Sequence, residues 1–338
     1  MQKLLCLTIT ILLSIRISFC FDVFGGKAAS KFQFPFFLQL NVTHIINDHQ
    51  LCCYTFGATL IRTQWILTCA WAFVEDSRVN VYKEVRKLIE QNLVTVFAGT
   101  DIRVGPDAIR NSLIEIYIHP DYTYETSFDG TVKLLNNDIA VAKLKKPYEL
   151  QDYIAVIELF FSNVSNIPFT KDCEYGTVVG LGSGSLGTSN TVFSPCRLIK
   201  YIRVQSKDLN ELSVHPALGS RKNVFYSEVA ISHRYPLMAG SGGPYFCYNG
   251  SRAVQYGVVS SAQNITYKGN ILLVTTYEAI IKYKDFILSH INVDEDTFNR
   301  SILHHSKGEY LNNSQVFVQL FRFYALLFLF YMYIYLNY

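Results

Sequence analysis

The residues of this chain that could do chemistry stand in two short runs, far apart in the sequence. Residues 238–244 read Met-Ala-Gly-Ser-Gly-Gly-Pro and place Ser241 in a glycine-rich turn. A serine hydroxyl is almost wholly protonated at neutral pH and attacks well only when an adjacent imidazole takes its proton. Residues 65–71 end in Trp71, whose indole is a hydrogen-bond donor without an accepting lone pair. The two runs therefore supply a candidate nucleophile and no base for it.

Size and charge limit the possible classes of protein. The chain has 338 residues, half of them hydrophobic, and a formal net charge of +3. This composition predicts one large buried core or two smaller ones rather than a disordered chain. The net charge is too small to favour a polyanionic partner, and the sequence contains no Lys/Arg block and no nucleic-acid-binding motif. Nucleic acid is therefore not predicted as a partner.

The amino terminus has the features of a signal peptide at residues 1–20. Lys3 precedes a hydrophobic run, and Ser18 and Cys20 place small side chains where signal peptidase cleaves. We expect the chain to enter the secretory pathway and to be extracellular or at the cell surface. Glycosylation acceptors of the Asn-x-Ser/Thr type are usable only in a secretory lumen. They begin at six positions: Asn41, Asn163, Asn249, Asn264, Asn299 and Asn312.

Cysteine usage agrees with an oxidising compartment. Removal of residues 1–20 leaves an even set of cysteines that could form disulfides, with a connectivity that the sequence does not determine. The set is Cys52, Cys53, Cys69, Cys173, Cys196 and Cys247. No cysteine pair has metal-ligand spacing with histidine, so neither a metal site nor a cofactor is predicted.

The carboxyl terminus is predicted to tether the chain to a membrane. Residues 316–338 are apolar and aromatic apart from three polar side chains, and they follow a polar linker at residues 292–315. One interpretation is a removable signal for a glycolipid (GPI) anchor. The other is a retained membrane helix, which needs about 20 apolar residues and would require Arg322 to snorkel.

Between the two ends the hydrophobic pattern is that of β-strands. Short apolar or alternating runs recur between turn residues. They are Phe36–Leu40, Ala58–Ile61, Leu93–Phe97, Ile114–His119, Ile139–Leu144, Thr177–Leu181, Leu198–Val204 and Val254–Ser260. One helix is predicted from Tyr277 to Ile291, because Ile280, Tyr283 and Ile287 share a face with Ile291. The pattern predicts an all-β barrel or sandwich with a helix at its end.

A series of short motifs resembles the trypsin/chymotrypsin family of serine peptidases and follows that family's order. The motifs are Val23-Phe24-Gly25-Gly26, Phe56-Gly57-Ala58-Thr59-Leu60-Ile61 with Trp65-Ile66-Leu67-Thr68, Ile118-His119-Pro120-Asp121-Tyr122, Asn137-Asp138-Ile139-Ala140, Gly180-Leu181-Gly182, Gly240-Ser241-Gly242-Gly243-Pro244 and Gly257-Val258-Val259-Ser260. The resemblance implies one peptidase domain at residues 21–291. Its expected fold is a pair of six-stranded antiparallel β-barrels ending in a helix.

The resemblance also implies roles for individual residues. Ser241 matches the nucleophile and Asp138 the carboxylate that orients the base, while Trp71 occupies the position of the base itself. Ala239 and Ser241 match the residues whose backbone N–H groups form the oxyanion hole, and alanine replaces the family's glycine there. Gly240 stands where the family has the aspartate that orders the site after activation cleavage.

The substrate pocket and two disulfides differ from the family pattern as well. Tyr235 takes the place of the residue at the base of the pocket, where a phenol would fill the cavity, and Ser260 and Ala262 lie in its wall. Phe56 and Ala72 replace the two cysteines that flank the family's histidine. A disulfide between Cys173 and Cys247 is implied, with Cys173 a few residues before the family's position.

These features lead to two main hypotheses. In the first, the chain is an inactive homologue that binds a protein partner, such as a protease or an inhibitor, as a decoy or scaffold. Ser241 is then kept for its turn and Asp138 for its buried hydrogen bonds, while Trp71 fills the vacated cleft or, alternatively, stacks on a ligand. Loss of the base costs about 10⁶ in kcat in a well-studied serine protease. An adhesion module at the membrane is not separable from this hypothesis by sequence.

The second hypothesis is a serine endopeptidase that uses Ser241 with a nonstandard base. Its motivation is the joint retention of Ser241, Asp138, Gly242 and Gly243. His119 is the candidate replacement base within the matching motifs.

Overall fold

The computed structural model of the chain describes residues 27–47, 50–74, 80–101, 105–126, 133–161, 169–181, 199–213, 221, 223–231 and 241–291. All of these described residues lie within one compact unit. The predicted signal peptide, the motif at 23–26, the polar linker and the hydrophobic tail lie outside the described residues. Within the described ranges, no helix combines the length and the apolar character needed to cross a bilayer.

The described part of the chain consists mainly of β-strands. In chain order these are β1 (Lys27–Ala28), β2 (Phe37–Asn47), β3 (Gln50–Arg62), β4 (Trp65–Thr68), β5 (Val94–Ala98), β6 (Ile109–Ile118), β7 (Thr123–Thr126), β8 (Lys133–Asn136), β9 (Ala140–Leu144), β10 (Glu158–Leu159), β11 (Tyr175–Leu181), β12 (Ile199–Gln205), β13 (Val224–Ile231), β14 (Pro244–Asn249), β15 (Arg252–Tyr267) and β16 (Asn270–Ala279). Each of the eight strands expected from the sequence overlaps one of them.

The first half of the chain forms a closed six-stranded antiparallel barrel. Its strands pair in the order β2-β3-β4-β9-β6-β5, and β5 returns to β2. The alternation of strand side chains explains its core, because Leu38, Leu40 and Val42 are each fully buried along β2. Strands β7 and β8 form a separate two-stranded sheet.

The second half forms an eight-stranded sheet. Its order is β1-β12-β11-β14-β15-β16-β13, and the short β10 pairs parallel with β15. In the ranges that the structure describes, this sheet is a half-barrel. One isolated bridge, in which Lys207 just after β12 and Tyr226 of β13 exchange backbone hydrogen bonds at 2.7 and 2.9 Å, joins β13 to the segment that follows β12. The all-β, chymotrypsin-like fold predicted from the sequence is confirmed, and its second barrel is present as this sheet.

The barrel and the second sheet pack together through aromatic side chains. Phe36 and Phe34 of the barrel side lie edge-on to Phe246 of β14, with ring centroids 5.1 and 5.7 Å apart. Phe34 also contacts Tyr201 of β12 at 5.1 Å. Burying several aromatic rings in one contact is a large stabilising contribution. The barrel and the second sheet therefore share one continuous apolar core.

Three helices and three 3₁₀ turns complete the described structure. The helices are α1 (Val81–Glu90), α2 (Phe169–Asp172) and α3 (Lys284–His290), and the 3₁₀ turns are Ala70–Ala72, Leu209–Glu211 and Ile280–Tyr283. Helix α1 was not predicted from the sequence. Its amino terminus is capped by Asn80, whose side chain accepts a hydrogen bond from the Lys83 backbone at 3.1 Å, and its Leu88 is buried.

The carboxyl-terminal helix begins later than the sequence pattern predicts. Tyr277 and Glu278 continue β16, because they pair with Phe225 and Val224 of β13. Helical structure starts at Ile280 and continues through α3. The predicted apolar face is nevertheless buried, so the helical spacing was interpreted correctly while its start was placed three residues too early.

One disulfide joins Cys173, beside α2, to Cys247 on β14 across 74 residues, with Cα atoms 5.7 Å apart. The pairing implied by the family resemblance is therefore present. Cys69 is buried and carries a free thiol. The side chains of Cys52, Cys53 and Cys196 lie outside the described residues.

Replacing both Cys173 and Cys247 with alanine is expected to lower the free energy of unfolding by about 2–5 kcal/mol, because the crosslink restricts the unfolded chain. Urea unfolding of the wild type and of the Cys173→Ala/Cys247→Ala variant would measure the change. Wild-type protein treated with a reductant serves as the control and should unfold at the variant's midpoint. An identical midpoint for the oxidised wild type and the variant would contradict the expectation.

Candidate active site

Asp138 is fully buried at the junction of the barrel and the second sheet. It follows Asn137, whose backbone has a positive φ of 50°, a conformation that asparagine tolerates better than most residues. The Asn137 side chain holds this turn by donating to the Asp121 carbonyl oxygen at 2.8 Å and accepting from the Tyr283 hydroxyl at 3.2 Å. The turn fixes the position from which the Asp138 carboxylate points into the junction.

Each oxygen of the Asp138 carboxylate accepts a hydrogen bond from a different half of the fold. Oδ1 accepts from the backbone N–H of Trp71 at 2.8 Å, within the 3₁₀ turn that follows β4 of the barrel. Oδ2 accepts from the Ser260 hydroxyl at 2.7 Å, on β15 of the second sheet. The buried carboxylate therefore links the two halves, as a buried charge must be hydrogen-bonded to be tolerated.

A second buried carboxylate, that of Glu278, lies directly behind Asp138. Glu278 Oε1 accepts from the Asp138 backbone N–H at 3.0 Å, and Oε2 accepts a short hydrogen bond from the Tyr283 hydroxyl. Burial raises the pKa of Glu278 to about 8 and that of Asp138 to about 6. The nearby Arg221 cation opposes both rises. Two acids thus share one buried region with one guanidinium close by.

Trp71, which the resemblance matches to the family's base, is buried within the protein. The residue is 4% exposed, and its ring lies edge-on to Phe56, with centroids 5.5 Å apart at 84°. Ala72 is fully buried beside it. Phe56 and Ala72 are the residues that the resemblance matches to the family's disulfide. Here they provide an aromatic ring against Trp71 and a small buried side chain. The indole is packed inside the protein, which agrees with the cleft-filling interpretation.

Ser241 lies in a turn that is clamped between the two halves of the fold. Its carbonyl oxygen accepts from the Gly57 backbone N–H of β3 at 2.8 Å, and the next N–H, of Gly242, donates to the Val259 carbonyl oxygen of β15 at 2.7 Å. Gly242 has a φ of +84°, and a Cβ there would come within 2.2 Å of the Gly57 carbonyl oxygen and 2.3 Å of Thr68 Oγ1. The glycine is therefore required by packing alone.

Ser241 and Asp138 are connected through hydrogen bonds to two neighbouring residues of β15. The turn of Ser241 bonds to Val259, and the next residue, Ser260, bonds to Asp138. Ser241 is thus linked to Asp138 through β15, and Asp138 in turn accepts from the Trp71 backbone. The Ser241 side chain is buried there, with 4% of the residue exposed.

His119 lies against the carboxyl-terminal helix. Its Nδ1 accepts from the Asp121 backbone N–H at 3.2 Å, and its ring lies 5.3 Å from that of Tyr283 and 5.0 Å from that of Phe286. Burial lowers its pKa. Of the histidines whose side chains the structure describes, His119 and His290, neither contacts Ser241.

The structure describes two of the three residues that were predicted to form the pocket, Ser260 and Ala262. Ser260 directs its hydroxyl to Asp138, while Ala262, 9% exposed, lines a small cavity of about 50 Å³ inside the second sheet. Tyr235 lies outside the described residues, as does Ala239 of the predicted oxyanion hole. Among the side chains that the structure describes, no group of three His, Cys, Asp or Glu residues is arranged to hold a metal ion.

Comparison with known proteins agrees with the fold. The family model described as Trypsin matches residues 23–287. The chain belongs to the trypsin family. Coagulation factor IX of Oryctolagus cuniculus is 22% identical over 250 residues, which cover 73% of this chain and 78% of that protein.

Two further relatives show the same degree of similarity. Coagulation factor IX of Cavia porcellus is 23% identical over 264 residues, covering 78% of this chain and 80% of the relative. Urokinase-type plasminogen activator of Gallus gallus is 22% identical over 278 residues, covering 80% of this chain and 58% of the relative.

Sequence reasoning missed Glu278 in this member of the trypsin family. A signal was present, because Glu278 is the only charged residue in the apolar run 271–281. A carboxylate placed there must be buried and therefore needs hydrogen-bond donors. Its donor on the Asp138 backbone lies 140 residues away in the sequence, so only the fold reveals the pair.

Stability is expected to fall as pH rises from about 4 to about 8. Both acids have folded-state pKa values above their unfolded values, so the folded state holds protons that the unfolded state has released in this interval. The Glu278→Gln variant should flatten this dependence, by on the order of a few kcal/mol between the ends of the interval. Urea unfolding at pH 5, 6.5 and 8 would measure it.

The matched control is Glu158→Gln, which removes an exposed carboxylate and should leave the slope unchanged. A Glu278→Gln variant with the wild-type slope would show that this carboxyl does not hold a proton in the folded protein.

Proposed function

We propose that this trypsin-family protein enters the secretory pathway and acts by binding another protein, without hydrolysing peptide bonds through Ser241. The observation that carries this proposal is the environment of Trp71. A buried indole, packed on Phe56, stands where the family has its proton acceptor. Indole nitrogen cannot accept a proton from serine.

The hydrogen bonds of Asp138 support the same conclusion. In a catalytic triad this carboxylate orients the imidazole and stabilises its cation. Here Asp138 accepts from the Trp71 backbone and from Ser260, so its oxygens are bonded without any imidazole. Burial raises its pKa to about 6. Its role is then structural.

The turn of Ser241 supports binding rather than chemistry. Its backbone is bonded on one side to Gly57 and on the other to Val259, which preserves the family's arrangement of strands around the cleft. A protein partner adapted to trypsin-family surfaces, such as an inhibitor or an active protease, could therefore recognise this chain. Attachment to a membrane through residues 316–338, by a lipid anchor or a helix, is part of the proposal.

The second candidate function is that of a serine endopeptidase with a nonstandard base. Its motivation is the joint retention of Ser241, Asp138, Gly242 and Gly243. The two candidates differ in whether Ser241 reacts.

A fluorophosphonate probe tests this difference on the purified protein. The wild type is expected to remain unlabelled beside an active trypsin control, because nothing activates the Ser241 hydroxyl. The Trp71→His variant should label faster than the wild type, by roughly 10²-fold, the lower end of what a general base contributes. Trp71→Phe is the matched control and should stay unlabelled. Labelling of the wild type that Ser241→Ala abolishes would overturn the proposal in favour of the endopeptidase.

Binding is tested separately, by immobilising the full chain on a resin and exposing the resin to the native secretory fluid. A protease or protease inhibitor is expected to be retained in a stoichiometric amount and to bind again after purification. An unrelated glycoprotein on the same resin controls for nonspecific capture. Recovery of no protein from the fluid would count against the binding role, whatever the outcome of the labelling experiment.

A further inference from the structure

We infer that Asn249 is an N-glycosylation site, and that its carbohydrate projects from the β14–β15 hairpin. Of the six Asn-x-Ser/Thr acceptors, Asn41, Asn249 and Asn264 lie within the described residues. A glycan can be accommodated only where the asparagine and the space around it are open to solvent. The three positions differ in this respect.

The hairpin that carries Asn249 is open to solvent. Asn249 is the last residue of β14 and pairs with Arg252, the first residue of β15, so that Gly250 and Ser251 alone form the loop. All four residues are exposed. Gly250 has a φ of +63°, as a two-residue hairpin loop with glycine first requires, and a Cβ there would meet no atom within 4 Å. The tip therefore leaves room for a bulky sugar.

The acceptor hydroxyl is part of the same loop. Ser251, the third residue of the acceptor motif, is exposed beside Asn249. The transferase must reach the asparagine amide and this hydroxyl together, and a tight exposed turn presents both on one short loop. The loop remains exposed in the folded protein, so the carbohydrate would not compete with any packing contact.

Asn41 and Asn264 lie in less open places. Asn41 stands in the middle of β2, paired with Thr55 on one side and Thr95 on the other, and its side-chain oxygen is buried. Asn264 lies within the β15–β16 ladder opposite Leu273 and is only half-exposed. Glycans at these positions would crowd neighbouring strands, whereas one at Asn249 would not.

The disulfide on the same strand indicates the compartment that this modification requires. Cys247, two residues before Asn249, forms the disulfide with Cys173. A disulfide of this kind forms in the oxidising secretory lumen, where glycosyl transfer to asparagine also takes place. The inference depends on the secretory route and is independent of whether Ser241 reacts.

The test is peptide mapping of the full chain secreted from a eukaryotic cell. Enzymatic deglycosylation in ¹⁸O water converts a glycosylated asparagine to a heavy-isotope aspartate, and we expect this mark at Asn249 in most of the molecules. Ser251→Ala keeps the asparagine and should abolish the mark, while Ser251→Thr should retain it. Asn41→Gln should leave the mark at Asn249 unchanged.

A wild-type chain without an enzyme-dependent mark at Asn249 would overturn the inference, as would an enzyme-dependent mark that persists in Ser251→Ala. The same digestion in ¹⁸O water without the enzyme supplies the baseline, because the Asn249-Gly250 pair also deamidates spontaneously. Comparison of Ser251→Ala with Ser251→Thr guards against a folding defect, because both variants alter the same exposed loop position. The fluorophosphonate result has no bearing on this outcome, so the two proposals can fail separately.

Discussion

The structure depends on satisfying one buried carboxylate. Asp138 is inaccessible to water and accepts one hydrogen bond from each half of the fold, from the Trp71 backbone and from the Ser260 hydroxyl. A buried carboxylate left without donors destabilises a protein strongly. The strands that carry these donors are therefore fixed relative to one another. Because the donor at position 71 is a backbone group, this bond does not depend on the identity of the side chain there.

The second carboxylate follows from the same constraint. Glu278 accepts the backbone N–H of Asp138 and the hydroxyl of Tyr283, so it supports the turn from which the first carboxylate projects. The resulting pair of acids lies near Arg221, and burial raises the pKa of both. Holding one of them protonated removes most of the repulsion between them. The buried region can then persist without the imidazolium that an active member of the family forms during turnover.

The fold was predictable because local patterns and global fold agree in this chain. The alternation of apolar residues located the strands, and the order of short motifs identified the two-barrel architecture. Helix α1 was missed although the sequence carries its signal. Val81, Val85 and Leu88 recur on one helical face after the Asn80 cap. Glu278 was missed because its partner comes from a distant segment. Periodicity does not show which distant backbone group a buried carboxylate will meet.

Packing alone is enough to explain the motif around Ser241. Gly242 adopts a backbone conformation that a side chain would strain, and a Cβ there would collide with Gly57 and Thr68. Thr68 in turn donates to the Gly57 carbonyl oxygen at 2.7 Å, and the Gly57 N–H donates to Ser241. These contacts join β3, β4 and the turn before β14 regardless of whether the hydroxyl reacts. A Gly-Ser-Gly-Gly-Pro run therefore indicates this junction of strands. It indicates catalysis only when a base lies beside the serine.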